Sequence, residues 1–282
     1  MLHETYHVEK SNRLILSQLS VYSVYALKAL DIYLSRINAR EPDTINVAFS
    51  KREFCRVMGI HENAKPGALK KALRELRKAD IAVYAEDERY KGVRYANLFK
   101  TADIIMDKVS KKMFVVLHGN DDLAELFFNL KEGIGYTEYS LRNTISLNSK
   151  TSILLYNILK MRLSVSRKAS SEAEFTIDEL RTQLGATSRT NEEFKYFRRL
   201  IDRSCSEVSD KTDIQVEYVV LRDWKSARAI RFRVSLKAQR DVQAGQDALP
   251  FDEAPPADGI IPSFEDLEPA GVSASRMWDL GD

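Results

Sequence analysis

An internal repeat of ten residues constrains the fold of this chain more than any other feature. Ser50–Gly59 aligns without gaps on Thr176–Gly185. Both copies begin with a hydroxyl residue and have glutamate three positions later, Glu53 and Glu179, which is the capping box at the start of a helix. Both copies end in glycine, which can terminate a helix in the left-handed backbone conformation. The sequence therefore predicts two short capped helices, each followed by a turn.

The segments around the two copies are also repeated. A long helix with one apolar face is predicted before each copy, at Ser20–Asn38 and at Lys150–Leu163. A short strand leads into each capping box, and a basic helix with two further strands follows each copy. These strands are predicted at Ile45–Phe49, Glu174–Phe175, Asp80–Tyr84 and Asp213–Tyr218.

This order of elements is that of the winged helix-turn-helix, and it occurs twice. We predict an α+β fold of tandem winged helix-turn-helix domains with a pseudo-two-fold duplication. Domain one covers residues 1–135 and domain two residues 136–238, with Gly133 and Gly135 as the candidate hinge. Residues 239–282 contain several prolines without helical or strand periodicity, which predicts a disordered acidic C-terminal tail.

The charge is distributed asymmetrically between body and tail. The chain has a net charge of +2, but ten acids and only two bases follow Lys237, so residues 1–238 have a net charge of +10. A basic body of this kind is typical of proteins that bind a polyanion. Charge alone is equally compatible with an ordinary solvated surface.

The basic helix of domain two is the main DNA-binding candidate. It is predicted at Glu192–Ser209, where an apolar stripe leaves the basic residues mostly on the other face. In a helix-turn-helix this helix lies in the major groove, where arginine can bond guanine O6 and N7 together. The predicted DNA-binding residues are Arg189, Lys195, Arg198, Arg199 and Arg203 on and before the helix, and Arg222, Lys225 and Arg228 on the wing. Trp224 is expected to pack under the wing, with contact to a DNA sugar as the alternative.

Domain one has a second basic helix that is richer in lysine. Its predicted DNA-binding residues are Lys65, Lys70, Lys71, Arg74 and Lys78. Phosphate contacts need only positive charge, whereas base contacts favour side chains with directed hydrogen bonds. We therefore expect domain two to be the principal sequence-specific domain and domain one to contact the DNA backbone.

No pattern in the sequence predicts a catalytic, metal or cofactor site. The four histidines lack metal-ligand spacing, and no phosphate-binding loop is present. Cys55 and Cys205 lie in helical apolar patterns and are expected to be inert core thiols. The N-terminus does not resemble a signal peptide and no apolar run reaches about 18 residues, so we expect a cytoplasmic, non-enzymatic protein without a membrane segment.

Several stretches resemble the iteron-binding replication initiators of theta-type plasmids. The resemblance covers about residues 8–237, and its most specific segments are Tyr136–Lys160 and Phe197–Ile214. It implies that monomers bind directly repeated origin sites and recruit host replication proteins. It also implies that homodimers, joined mainly through domain one, bind an inverted repeat and repress the protein's own promoter.

One short motif in the tail is similar to the peptide by which bacterial proteins bind the sliding clamp. Its anchors would be Gln246, Leu249 and Phe251, although Asp247 replaces the usual leucine or methionine.

Three other functions remain open at this level. They are a winged-helix transcriptional repressor without a replication role, an adaptor whose winged helices bind proteins, and a relaxase or nuclease.

Overall fold

The computed structural model describes residues 6–58, 67–86, 89, 91–128, 135–224 and 226–237, which form two winged-helix modules. Module one contains β1 (His7–Ser11), α1 (Asn12–Leu16), α2 (Val24–Leu34), β2 (Asn46–Ser50), α3 (Lys51–Val57), α4 (Gly67–Lys78), β3 (Asp80–Glu86), β4 (Lys91–Asn97), β5 (Phe99–Met106) and β6 (Met113–Gly119), with 3-10 turns at Leu19–Val21, Pro42–Ile45 and Asp121–Leu126. Module two contains β7 (Tyr136–Ser140), α5 (Leu141–Ile145), α6 (Lys150–Ser166), β8 (Ser170–Thr176), α7 (Ile177–Leu184), α8 (Arg189–Glu192), α9 (Phe194–Lys211), β9 (Ile214–Asp223) and β10 (Ser226–Leu236).

In each module the wing is a β-hairpin. Its second strand pairs with the strand that precedes the capped helix. In module two the sheet order is β8-β10-β9, and in module one it is β2-β6-β5. Hairpin β5–β6 therefore corresponds to β9–β10. The similarity of Asp80–Tyr84 to Asp213–Tyr218 reflects only their position after the basic helix, because β3 forms a separate two-stranded sheet with β4. Module one thus has one hairpin more than module two.

The first long helix begins later than the sequence predicts, because a 3-10 turn precedes it. The first long helix was expected from Ser20, but residues 19–21 form a 3-10 turn and α2 begins only after Ser23. The Ser23 hydroxyl accepts from the Ala26 N–H, and the Ser149 hydroxyl caps α6 in the same way. The same number of positions separates each cap from the hydroxyl N-cap of the next helix, Ser50 or Thr176, which supports the duplication.

The two modules are joined by an antiparallel ladder between β1 and β7. Glu9 lies opposite Glu138, and the pairing runs outwards to Ser11 opposite Tyr136 and His7 opposite Ser140. Each strand leads into a short helix, α1 or α5, so the two strand–helix units are arranged symmetrically about the central pair. A pseudo-two-fold axis thus passes between Glu9 and Glu138, as the duplication predicts.

Helices α2 and α6 lie in the interface and are buried over most of their length. Residues 26–34 of α2 are all buried, including Lys28 and Asp31, and so are residues 151–161 of α6. Their outer faces pack against the other module, since α2 contacts α5 and α6, and α1 contacts α6. Lys28 Nζ donates to the Ile145 carbonyl at 2.6 Å across this interface.

A buried polar cluster lies at the centre of the interface. Lys10 Nζ donates to Asp31 Oδ1 at 2.9 Å, and the Tyr139 hydroxyl of module two donates to the same oxygen at 3.1 Å. The Lys10 and Asp31 side chains are both 0% exposed. Burial, followed by the Asp31 charge, raises the pKa of Tyr139 well above its usual value, so this hydroxyl remains a donor. The Tyr139 ring contacts that of Tyr156 edge-on at 5.5 Å.

The turn of the helix-turn-helix in module two also packs on module one. Gly185 has φ = 62°, and a Cβ atom there would lie 2.8 Å from Ser20 Cβ. Lys150 Nζ donates to the Ser20 carbonyl at 3.1 Å beside it. At the candidate hinge, the Gly135 carbonyl accepts from Asn12 N–H at 2.8 Å. Gly133 lies outside the described residues.

We predict that Lys10→Met lowers the free energy of unfolding by about 3–5 kcal/mol, because it leaves the Asp31 carboxylate buried without its cation. Urea denaturation measures this change. The control is Glu138→Gln, which changes an exposed carboxylate that lies 3.0 Å from His7 on the outer face of the same ladder and should cost less than about 1 kcal/mol. Similar losses of unfolding free energy in Lys10→Met and Glu138→Gln would contradict the assignment of Lys10 as the buried partner of Asp31.

We also predict that Gly185→Ala is destabilising by at least about 1–2 kcal/mol, because the residue is left-handed and its new methyl group meets Ser20. Adding Ser20→Gly should recover part of this loss, since it removes the contacting Cβ. A double-mutant cycle measured by urea unfolding gives the coupling. Strictly additive effects would show that the turn does not pack on module one.

Candidate nucleic-acid interface

The helix-turn-helix of module two is built from its capping box. The Thr176 hydroxyl accepts from the Glu179 N–H at 3.3 Å, and the Glu179 carboxylate accepts from the Thr176 N–H at 3.0 Å. The Thr176 N–H and the Thr176 hydroxyl, which donates to the same carboxylate at 2.8 Å, lower the pKa of Glu179. Gly185 provides the predicted left-handed C-cap. Arg181 then connects the two helices, since its guanidinium donates to the Glu192 carbonyl at 2.7 Å and lies 5.2 Å from the Phe197 ring.

Helix α9 has the apolar stripe that the sequence predicts, although the helix spans Phe194–Lys211 rather than Glu192–Ser209. Phe197, Ile201 and Val208 are 0% exposed and Cys205 is 6% exposed. Burial raises the pKa of the Cys205 thiol to about 12, and Cys55 is buried as well. The basic residues point away from this stripe. Those predicted to bind DNA are all exposed: Arg189, Lys195, Arg198, Arg199 and Arg203.

The charge on the exposed face of α9 changes along the helix. Lys195, Arg198 and Arg199 lie in its first two turns without an exposed carboxylate between them. Arg203 lies further along, in a groove that it shares with Asp202, Glu207 and Asp210. The Arg199 guanidinium lies 5.7 Å from the Tyr196 ring. The N-terminal half of α9 is therefore the strongly cationic part, which is also the part of a recognition helix that contacts base edges.

The wing of module two places Arg222 and Arg228 beside the helix-turn-helix. Both are exposed, and both line an open cleft of ≈ 400 Å³ together with Arg181, Asp178 and Phe194. Arg228 lies 3.5 Å from Glu174 and 3.9 Å from Asp223, yet its side chain remains 56% exposed. Lys225 lies outside the described residues.

The expectation that Trp224 packs under the wing is wrong. Its side chain is 93% exposed at the tip of the β9–β10 hairpin. Its backbone is left-handed, with φ = 56°, so the side chain projects from the turn instead of along the strand that covers the core. A tryptophan at such a position is unfavourable for both backbone and solvation.

Helix α4 presents the cations predicted for module one. Leu69, Leu73 and Leu76 are buried, and Lys71, Arg74 and Lys78 are exposed on the other side. Lys70 is half-buried in a cleft between α4 and β5 that also contains Asp103. Lys65 lies outside the described residues.

Sequence reasoning missed the wing of module one. The β5–β6 turn contains three exposed lysines, Lys108, Lys111 and Lys112, and is placed like the β9–β10 turn of module two. Exposed Arg94 and Tyr95 on β4 form a further cationic and aromatic surface. Only the pairing of β6 with β2, across more than sixty residues of chain, identifies this hairpin as the wing.

The described residues show neither a metal site nor a membrane-spanning helix. No group of three or more histidine, cysteine or acidic side chains could hold a metal ion within the described ranges. None of the described helices is long and apolar enough to cross a membrane. The proposed clamp-binding residues Gln246, Leu249 and Phe251, and the whole predicted tail, lie outside the described residues.

Comparisons with known proteins agree with the fold. No curated protein matches the chain by sequence. The crystal structure of the Pi initiator protein in complex with iteron DNA matches it with a TM-score of 0.66 and 16% identity, over 84% of this chain and 99% of that chain. Residues 7–160 match the family described as initiator replication protein, WH1. Because this match spans more than half of the chain, the protein belongs to the initiator replication protein family.

Proposed function

We propose that this protein is a plasmid replication initiator that binds repeated duplex sites, or iterons, at an origin. The observation that supports this most directly is the exposed, arginine-bearing first half of α9, presented by a winged helix-turn-helix in an initiator family. The similarly folded Pi protein is described in complex with iteron DNA. The protein acts by binding and recruitment, and host enzymes provide the chemistry of replication.

Module two supplies sequence specificity. Helix α9 enters the major groove with Lys195, Arg198 and Arg199 facing the bases and phosphates. Arg189 and Arg203 contact the DNA backbone on either side of the major groove. The wing residues Arg222, Lys225 and Arg228 lie along the adjacent DNA strand.

Module one adds contacts that depend mainly on charge. Lys65, Lys70, Lys71, Arg74 and Lys78 neutralise phosphates, and the three lysines of the β5–β6 turn extend this surface. Binding that involves several such contacts weakens steeply as salt rises, because condensed counterions are released from the DNA.

The same chain acts in two assemblies. Monomers bind direct repeats, while homodimers joined through module one bind an inverted repeat at the promoter and repress it, because a two-fold protein matches a two-fold site. Recruitment involves host replication proteins, with the Gln246, Leu249 and Phe251 motif as the contact to the sliding clamp.

We predict that Arg199→Ala weakens binding to the preferred duplex by about 1–3 kcal/mol, because it removes a base or phosphate contact at the centre of the exposed face. Arg203→Ala should cost less, since Arg203 lies among carboxylates. The preferred duplex is first selected from a random library with the parent protein, and affinity is then measured by fluorescence anisotropy at two salt concentrations.

The matched control is Arg40→Ala, which removes one exposed arginine of module one that lies on neither α4 nor α9. Equal binding by the parent protein and Arg199→Ala would exclude α9 as the recognition helix. A parent protein that selects no duplex from the library would exclude the proposed function itself.

Trp224 gives a further prediction, in which DNA binding weakens without a loss of stability. Trp224→Asn should leave the unfolding midpoint unchanged or raise it, because asparagine tolerates the left-handed conformation better. It should weaken DNA binding by about 1 kcal/mol, which corresponds to burying roughly 50 Å² of the ring on the duplex. The control is Val165→Asn, at an exposed apolar position near the end of α6. Unchanged DNA affinity of Trp224→Asn would show that the wing tip does not contact DNA.

A further inference from the structure

A cleft between α4 and β5 of module one is apolar inside and cationic at its rim. Leu73 of α4 and Ala102 and Ile104 of β5 supply the apolar side chains. The cleft has a volume of ≈ 510 Å³, which lies in the range of ligand pockets. Among the described residues that line it, one is acidic, Asp103, and four are basic: Lys70, Arg74, Arg77 and Lys78.

Both parts of the cleft are accessible from outside. Arg74, Arg77 and Lys78 are exposed, and Ala102 and Ile104 are half-buried. A ligand that fits this cleft therefore combines negative charge with apolar side chains. Such a ligand would also cover bases of α4 that the proposed function assigns to DNA phosphates.

The chain itself contains a segment with this composition. Residues 260–268 read Ile-Ile-Pro-Ser-Phe-Glu-Asp-Leu-Glu, with four large apolar side chains, three acids and no base. The segment lies outside the described residues. Elsewhere in the tail, Leu249 and Phe251 belong to the motif assigned to the sliding clamp, and Trp278 lies near a base, Arg276. Charge and apolar content together favour residues 260–268 as the occupant of the cleft.

The length of the chain allows this segment to reach the cleft. Strand β10 ends at Leu236, and Lys237 Nζ donates to the Thr212 carbonyl of module two at 2.9 Å. The 23 residues from Lys237 to Ile260 span up to about 75–80 Å when extended. A compact body of about 230 residues has a radius of gyration of only about 17 Å. Because segment and cleft belong to one chain, their effective concentration can reach the millimolar range.

We propose that residues 260–268 bind in the cleft between α4 and β5 and compete there with DNA for Lys70, Arg74 and Lys78. The apolar side chains of the segment fill the cleft, and its acids pair with the cationic rim. The segment is thus an autoinhibitory ligand that DNA has to displace before module one can bind. The competition with DNA rests on the proposed function, whereas occupancy of the cleft does not.

The first test is photo-crosslinking of the full chain in the absence of DNA. The crosslinking amino acid p-benzoylphenylalanine replaces Phe264 or, as the matched control, Trp278. Position 264 should crosslink to α4 or β5, and position 278 should reach neither at a comparable yield. Mixing isotopically light and heavy protein shows whether each crosslink lies within one chain.

Three outcomes of this test would overturn the inference. They are crosslinks from position 264 to other surfaces only, crosslinks that join two chains, and equal crosslinking to the cleft from position 278. Ala102→Glu then places a carboxylate in the cleft and should abolish the crosslinks from position 264 while thermal unfolding stays cooperative. Retention of these crosslinks in the folded variant would also contradict the proposal.

The second test removes apolar side chains of the segment and keeps all of its charges. Phe264→Ser combined with Leu267→Ser should raise affinity for a scrambled duplex about threefold, the effect of removing a competitor that occupies its site for about two-thirds of the time. Simple repulsion of DNA by an acidic tail predicts no change. The control is Met277→Ser combined with Trp278→Ser, which should bind DNA like the parent.

Parent-like affinity in the Phe264 and Leu267 double variant, or an equal rise in the control, would exclude the competition. Failure of the proposed function gives a different result. In that case the parent protein selects no duplex, while the crosslinks from position 264 to the cleft persist.

Discussion

The arrangement of the whole molecule depends on the buried Lys10–Asp31–Tyr139 cluster at the pseudo-two-fold axis. Two charges and a hydroxyl are removed from water there, which is costly unless all of them find partners in good geometry. Asp31 receives both donors only when β1 of module one and β7 of module two are paired in register. Tyr139 is the member of the cluster that comes from module two, so the register of β1 and β7 determines whether Asp31 Oδ1 receives its second donor.

A fixed relation between the modules has a consequence for the cationic helices. Helix α4 packs on α2 and helix α9 packs on α6, and α2 and α6 contact each other across the interface. Contact of Gly185 with Ser20 fixes the helix-turn-helix of module two on module one at a second point. In the proposed function the two basic helices form the surface that contacts a single duplex.

The two halves of this surface are chemically different. Helix α4 bears mostly lysines, which suit phosphates as point charges, whereas the exposed face of α9 bears arginines, whose planar fork can bond a base edge. Asp202 and Asp210 are exposed further along α9 and offset part of the positive charge there. Affinity and specificity are thereby assigned to different modules, within the proposed function.

Local sequence patterns were sufficient for the elements but not for their assembly. The capping box at Thr176, the left-handed Gly185 and the apolar stripe of α9 each depend on residues within a few positions of one another, and all were predicted. Burial of both faces of α2, the wing at β5–β6 and the contact of Tyr218 with α9 depend on partners far along the chain. Trp224 was expected to pack under the wing, but it is left-handed at the tip of the β9–β10 hairpin and 93% exposed.

Hydroxyl-radical footprinting of the full chain on its selected duplex tests the central claim most directly, because it reports how many separate surfaces meet the DNA. Two rigidly joined recognition helices predict two protected stretches on one face of the duplex, about one helical turn or 10 bp apart. Replacing Lys71, Arg74 and Lys78 together with alanine should remove one stretch and leave the other. A single protected stretch that this triple substitution does not alter would contradict the account.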